Sequence, residues 1–171
     1  MKAFLKSLCC LLLITVSVTA AQSQDDKANR PSPPAEAKGK IGNADIMISY
    51  SSPGVKGRQI WGALVPYGQV WRTGANEATV FETSADLTVN GSPLPAGKYG
   101  LFTIPGERSW IVIFNSVSDQ WGAYQYDATK DVLRVEVVPQ EGEFQERMHF
   151  NIEGNQVILT WEKLKLALDI K

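Results

Sequence analysis

The stretch Lys163-Leu164-Lys165-Leu166-Ala167-Leu168-Asp169-Ile170 decides the fold. Its large aliphatic side chains fall on every second residue, with Lys163, Lys165 and Asp169 between them. An extended strand sends successive side chains to opposite faces, so this spacing makes one apolar face and one polar face. A helix would scatter the same leucines around its circumference. The period of two continues outward. Val157, Leu159 and Trp161 precede the stretch, and Phe144, Met148, Phe150 and Ile152 alternate with Gln145, Arg147, His149 and Asn151. Leu133, Val135 and Val137 oppose Arg134 and Glu136, while Ala44, Ile46, Ile48 and Tyr50 oppose Asp45, Ser49 and Ser51. In Trp110, Ile111, Val112, Ile113 and Phe114 both faces are apolar, which predicts a central strand covered on both sides.

The breaks between these runs carry turn chemistry. Asn90-Gly91 joins Leu87-Thr88-Val89 to the segment around Leu94, a strong hairpin signal. Pro95-Ala96-Gly97, Pro105-Gly106 and Gly154-Asn155 separate further runs. The pattern predicts an all-β fold, an antiparallel β-sandwich (jelly-roll-like or similar), with little or no helix outside the N-terminal leader. There is no internal repeat.

The N-terminus reads differently. Lys2 and Lys6 precede an apolar run over 8–18, and Thr19, Ala20 and Ala21 follow it. Basic, then apolar, then small is the order of a secretory signal peptide, predicted here over 1–21. The run falls short of the roughly 20 residues that span a bilayer. Cleavage after Ala20 or Ala21 satisfies the small-residue rule, with Ala21 preferred, and the mature protein is expected in the periplasm or outside the cell. Cys9 and Cys10 begin the apolar run, whereas a lipid-modified cysteine ends it. Both leave with the leader, so the mature chain is expected to have neither disulfides nor cysteine-bound metal. Residues 22–40, with Asp25, Asp26, Pro31, Pro33 and Pro34, predict a disordered Pro-rich tether. The single domain is then expected over 41–171. The 17 basic residues less Lys2 and Lys6, set against 18 acidic ones, give the mature chain a net charge of −3. That is no electrostatic footprint for nucleic acid. No other stretch is long enough or apolar enough to span a membrane, and no feature specifies an oligomeric state.

Residues 49–81 interrupt the strand pattern and gather Tyr50, Lys56, Arg58, Trp61, Tyr67, Trp71 and Arg72 among five glycines. Arg72, Asn76 and Glu77 share one short loop, and Arg58 is expected to face them from a neighbouring strand. Arginine offers a planar fork to a carboxylate or phosphate. Asn76 both donates and accepts, Glu77 accepts or acts as base, and Trp71 or Tyr50 stacks a ring. Three readings stay open. The first is a non-catalytic module holding a small polar, anionic or sugar-like ligand. The second is a hydrolase with Glu77 as general base and Arg72 or Arg58 steadying negative charge. The third is a structural envelope-interaction domain, in which an Arg–Glu pair braces a long loop over packed tryptophans. A second patch, 115–127, holds Trp121, Tyr124 and Tyr126, read either as an aromatic platform or as a satellite cluster under a loop.

No cofactor is implied. His149 is the lone histidine and alternates with apolar neighbours, as on a solvated strand face. There is no zinc set, calcium loop, nucleophile elbow or phosphate loop. Asn90-Gly91-Ser92 fits a glycosylation sequon, but the turn accounts for it fully.

The chain resembles a bacterial family known as domain of unknown function 2911. The resemblance rests on Lys56-Gly57-Arg58, Ile60-Trp61-Gly62, Leu64-Val65-Pro66-Tyr67-Gly68 and Trp71-Arg72-Thr73-Gly74-Ala75-Asn76-Glu77-Ala78. Pro93-Leu94-Pro95-Ala96-Gly97, Tyr99, Leu101-Phe102-Thr103-Ile104-Pro105-Gly106 and Trp121-Gly122-Ala123-Tyr124 add to it. It runs from about Ile41 to the C-terminus and implies an exported β-rich protein, with no established activity to carry over.

Overall fold

The computed structural model describes residues 27–171; the signal peptide expected at 1–21 lies outside the described residues. The chain divides into two units, Met1–Arg30 and Pro31–Lys171. Of the first, residues 27–30 form one turn, with the Arg30 N–H donating to Lys27 O at 3.3 Å.

The second unit holds ten strands. They are β1 (Pro34–Ile41), β2 (Ala44–Ser51), β3 (Thr79–Thr83), β4 (Leu87–Val89), β5 (Ser92–Leu94) and β6 (Gly97–Ile104), then β7 (Trp110–Asn115), β8 (Asp131–Val137), β9 (Gln140–Glu153) and β10 (Gln156–Asp169). One 3-10 turn, Ala128–Lys130, precedes β8. Six strands form an antiparallel sheet in the order β1-β2-β3-β6-β7-β8. The β9–β10 and β4–β5 hairpins supply a second layer. Thr88 N–H to Lys171 O (2.7 Å) and Asn90 N–H to Asp169 O (2.8 Å) lay β4 beside the end of β10. Val55 N–H to Glu146 O (2.8 Å) and Met148 N–H to Pro53 O (3.0 Å) lay residues 53–55 along β9.

The core fills the space between the layers. Ile46, Ile48, Phe81, Leu101, Trp110, Val112 and Phe114 from the large sheet belong to one buried cluster with Met148, Phe150, Leu159, Trp161, Leu166 and Leu168. Each such side chain contributes about 1.5–3 kcal/mol on burial, the main stabilising term of the fold. The expected antiparallel, nearly all-β architecture is what the chain adopts, and its large sheet is open rather than closed into a barrel. β7 lies inside that sheet, and its Ile113 is buried on the outer face with Phe102 and Ala78. The Asn90-Gly91 hairpin forms with Val89 opposite Ser92. Both turn residues have positive φ (48° and 82°), the conformation that Asn-Gly tolerates best.

Two expectations are corrected, for residues 34–40 and for Phe144. Residues 34–40 are not tether: β1 pairs with β2 from Pro34↔Ser51 to Ile41↔Ala44. Ala35, Ala37 and Gly39 alternate with Glu36, Lys38 and Lys40, a period of two written in small residues rather than large ones. The runs around Trp161 and Leu164 are one strand, β10, with ladder irregularities on either side of Glu162, whose φ is 56°. Phe144 does not share the inward face of Met148 and is 54% exposed. β9 runs from Gln145 to His149 while β10 covers only Glu162 to Thr160, so alternation stops reporting the face there.

Candidate functional site

The loop between β2 and β3 is fixed at several points. Trp71 and Thr103 exchange backbone hydrogen bonds (Trp71 N–H to Thr103 O, 2.7 Å; Thr103 N–H to Trp71 O, 2.9 Å). Thr73 then adopts φ 53° although it is β-branched and almost fully buried. That conformation is costly for such a residue and persists only where the surroundings hold it. Here Thr79 Oγ1 donates to Thr73 O at 2.7 Å, and the Thr73 and Thr103 hydroxyls lie 3.2 Å apart. Gly74 fits because a Cβ there would stand 3.0 Å from Thr79 Oγ1 and 3.2 Å from Ser51 O.

This loop distributes the sequence-selected residues. Trp71 enters the core, where it stacks on Trp161 (5.9 Å, 20°) and meets Trp61 and Trp110 edge-on, its Nε1–H donating to Gly74 O at 3.1 Å. Tyr50 is buried edge-on against Phe150, and its hydroxyl accepts from Phe150 N–H at 3.2 Å. Arg58 is spent on its own turn, with Nη2 donating to Gly54 O (2.6 Å) and Nε to Val55 O (3.1 Å). Asn76 has φ 56°, and its Nδ2 donates to Ser32 O at 3.0 Å. Glu77 pairs with Trp121 in an isolated antiparallel bridge.

Arg72 is different. It is half-buried, and its Nε is buried with no hydrogen-bond partner among the described residues. Burial holds the guanidinium below the ordinary arginine value, with nearby Tyr124 acting the other way; the group stays charged at neutral pH. A cation partly stripped of water, with one donor unfilled, favours an anion that presents a planar pair of oxygens.

The 115–127 stretch comes to the same place. Gly122 N–H donates to Asn76 O (3.1 Å) and Ala78 N–H to Gln120 O (2.9 Å), so residues 120–122 run along 76–78. Trp121 is 56% and Tyr124 85% exposed. Tyr126 instead packs over Phe102 (5.1 Å) beside Ala123, as a satellite cluster does. The patch therefore divides into two exposed rings and one anchoring ring. Gln120 gave no signal in the sequence, yet it is buried and its Oε1 has no hydrogen-bond partner among the described residues.

Other places offer less. The cavity between the layers, bounded by Thr73, Thr103 and apolar side chains, measures about 10 Å³, room for one water at most. The open groove over β1–β3 carries Lys40 and Asp45 in a 3.8 Å ion pair, so its charges largely answer one another. His149 lies beside the Thr160 hydroxyl (Nε2 to Oγ1, 2.8 Å). Among the described residues there is no cluster of three His, Cys, Asp or Glu side chains suited to a metal, and no helix long and apolar enough to cross a membrane.

These features define an open, two-layered antiparallel β domain whose strained loop carries a half-buried arginine and is hydrogen-bonded to the segment that bears the exposed Trp121 and Tyr124 rings. Residues 32–170 match the family described as protein of unknown function, DUF2911, and the chain belongs to it. Neither a curated protein nor a solved structure matches the chain.

Proposed function

We propose that the protein is an exported, non-catalytic module that binds a small anionic ligand at Arg72, with Tyr124 and Trp121 flanking the ligand. The observation that carries this reading is the half-buried Arg72 guanidinium, whose Nε has no hydrogen-bond partner among the described residues and which feels the 85%-exposed Tyr124 electrostatically. A guanidinium in that state gains more from a bidentate carboxylate or phosphate than a fully hydrated one does. Export rests on the basic, apolar and small order of residues 1–21.

Binding is tested by following the melting temperature of the protein against carboxylates, phosphates and sugars. A ligand at ten times its Kd is expected to raise Tm by roughly 3–6 °C. Arg72→Ala is expected to abolish the rise, and Arg72→Lys to reduce it, because lysine keeps the charge without the fork. A ligand that stabilises wild type and Arg72→Ala equally overturns the reading. Export is tested by sequencing the N-terminus of protein recovered outside the cytoplasm. Gln22 is the expected first residue, and an intact Met1 overturns the proposal.

A further inference from the structure

We infer that β8 is an interface: this edge of the six-stranded sheet pairs with the same edge of a second copy of the chain, antiparallel and centred on Val135. β8 ends the sheet and pairs with β7 alone. Thr103 of β6 exchanges both of its backbone hydrogen bonds with Trp71, on the β3 side. Backbone N–H and C=O groups along a strand turn alternately to its two neighbours. Thr103 therefore offers none to β7, and its partner Val112 bonds to Val135 instead. The same alternation sends the N–H and C=O of Arg134 and Glu136 outward, past the edge. β5 comes near β8 from the second layer, yet pairs only with β4. A row of unmatched backbone groups on an edge is a template for another strand.

The residues of this edge select the occupant. Around Val135, the run Leu133-Arg134-Val135-Glu136-Val137 is its own complement. A two-fold axis at Val135 sets Arg134 against Glu136 of the other copy, Val135 against Val135, and Leu133 against Val137. Arg134 and Glu136 also carry the outward backbone groups, so each of these two opposed pairs exchanges two hydrogen bonds. Both side chains are exposed on the outer face. Glu136 has no ion-pair partner among the described residues, and Arg134 keeps Nη1 beyond its bonds to Asp131 and Tyr126. Val138, 69% exposed, is carried toward the 44%-exposed Val132 of the other copy. The extra residue of the β8 ladder falls at Val132, so regular edge begins at Leu133. The opposite edge is built differently. β1 carries Pro34, Lys38 and Lys40, residue types that blunt an edge, and Ile152 of β9 packs against its Gly39. Any strand can use free backbone groups, but a second β8 also brings the matched charges.

Sedimentation velocity tests this. The protein is expected to be monomeric at about 1 µM and mostly dimeric at about 500 µM, since a strand-edge contact belongs with the small interfaces. Glu136→Arg sets like charges against each other twice and is expected to weaken dimerisation about tenfold or more. Cysteine substitution reads the register. Val135 is the one residue of β8 that faces its own copy, at the roughly 4.5 Å Cα separation of a pair sharing no hydrogen bonds, close enough for a disulfide. With Cys9 and Cys10 replaced by serine, Val135→Cys is expected to form a disulfide-linked dimer on oxidation, and Val137→Cys none. A protein that stays monomeric at the higher concentration overturns the inference, as does a dimer that Glu136→Arg leaves at full strength. If Glu136→Arg does not fold, the cysteine pair decides. No cross-link at position 135, or one that forms as readily at 137, overturns the β8 pairing.

Discussion

The Tyr126 hydroxyl donates to Asp131 Oδ2 at 2.6 Å, and the same carboxylate oxygen accepts from Arg134 Nε at 2.7 Å. Arg134 Nη2 reaches back to the Tyr126 oxygen at 2.8 Å, and Asn115 Nδ2 donates to Asp131 Oδ1 at 2.8 Å. This closed network anchors the far end of the aromatic loop to β7 and β8. It also raises the Tyr126 pKa to about 12, first through desolvation and then through the bond to Asp131.

A raised folded-state value means that folding favours the protonated phenol. The contribution is fully present below the unfolded value near 10 and is lost as pH rises through about 12. Tyr126→Phe is expected to cost about 1 kcal/mol at pH 8, a modest figure because the pair is partly exposed and screened. Between pH 10 and 12 the gap between the two proteins should narrow as wild type loses the bond. Urea unfolding of both at pH 8 and pH 11 checks this, and a gap that widens with pH overturns it.

Gly100→Ala tests how closely the loop lies on the sheet. A Cβ at position 100 would stand 2.6 Å from Val117 O and 2.8 Å from Phe102 Cε2. Backbone cannot rotate away as a flexible side chain can, so the loop must lift. The expected loss is about 1–3 kcal/mol by urea unfolding, the usual cost of overpacking. A neutral result would place the loop farther off the sheet.

Much of this architecture was legible because large residues alternate faithfully in β2, β8 and most of β10 and run unbroken through β7. Edge strand β1 was not, since Ala35, Ala37 and Gly39 bury a face too small to register as apolar. The fates of the candidate site residues were less legible still. Arg58 and Arg72 look equivalent in sequence, and only the folded turn shows Arg58 satisfying Gly54 and Val55 carbonyls while Arg72 Nε goes unfilled. Trp71 reads equally well as a stacking platform or as core, and three other indoles decide in favour of core. Side-chain partners drawn from distant segments leave no local period.

Two of those indoles make a paired test. Trp71 Nε1–H donates to Gly74 O at 3.1 Å, while Trp161 Nε1 is buried without a partner among the described residues. Phenylalanine at position 71 removes indole volume and also strands a buried carbonyl. At position 161 it removes similar volume together with an unmatched donor. Trp71→Phe is therefore expected to be the more destabilising by about 1–2 kcal/mol. Urea midpoints of the two variants at equal m-value give the comparison, and the reverse order would mean that the cavity at 161 outweighs the hydrogen bond.

Asn76 separates backbone strain from side-chain tethering. Its φ of 56° is disfavoured for most residues but tolerated by asparagine and glycine, while its Nδ2 holds Ser32 O at 3.0 Å. Asn76→Gly removes the tether and keeps the turn, and Asn76→Ala removes the tether and strains the turn. The glycine variant is expected to lose about 1 kcal/mol, and the alanine variant about 1–2 kcal/mol more. Hydrogen exchange should show faster opening at Ser52 in both, because its N–H donates to Pro33 O within the segment that Asn76 pins. At Gly122, whose N–H donates to Asn76 O, only the alanine variant should open faster. Equal losses in the two variants would mean that the turn is unstrained and that Asn76 acts through Ser32 alone.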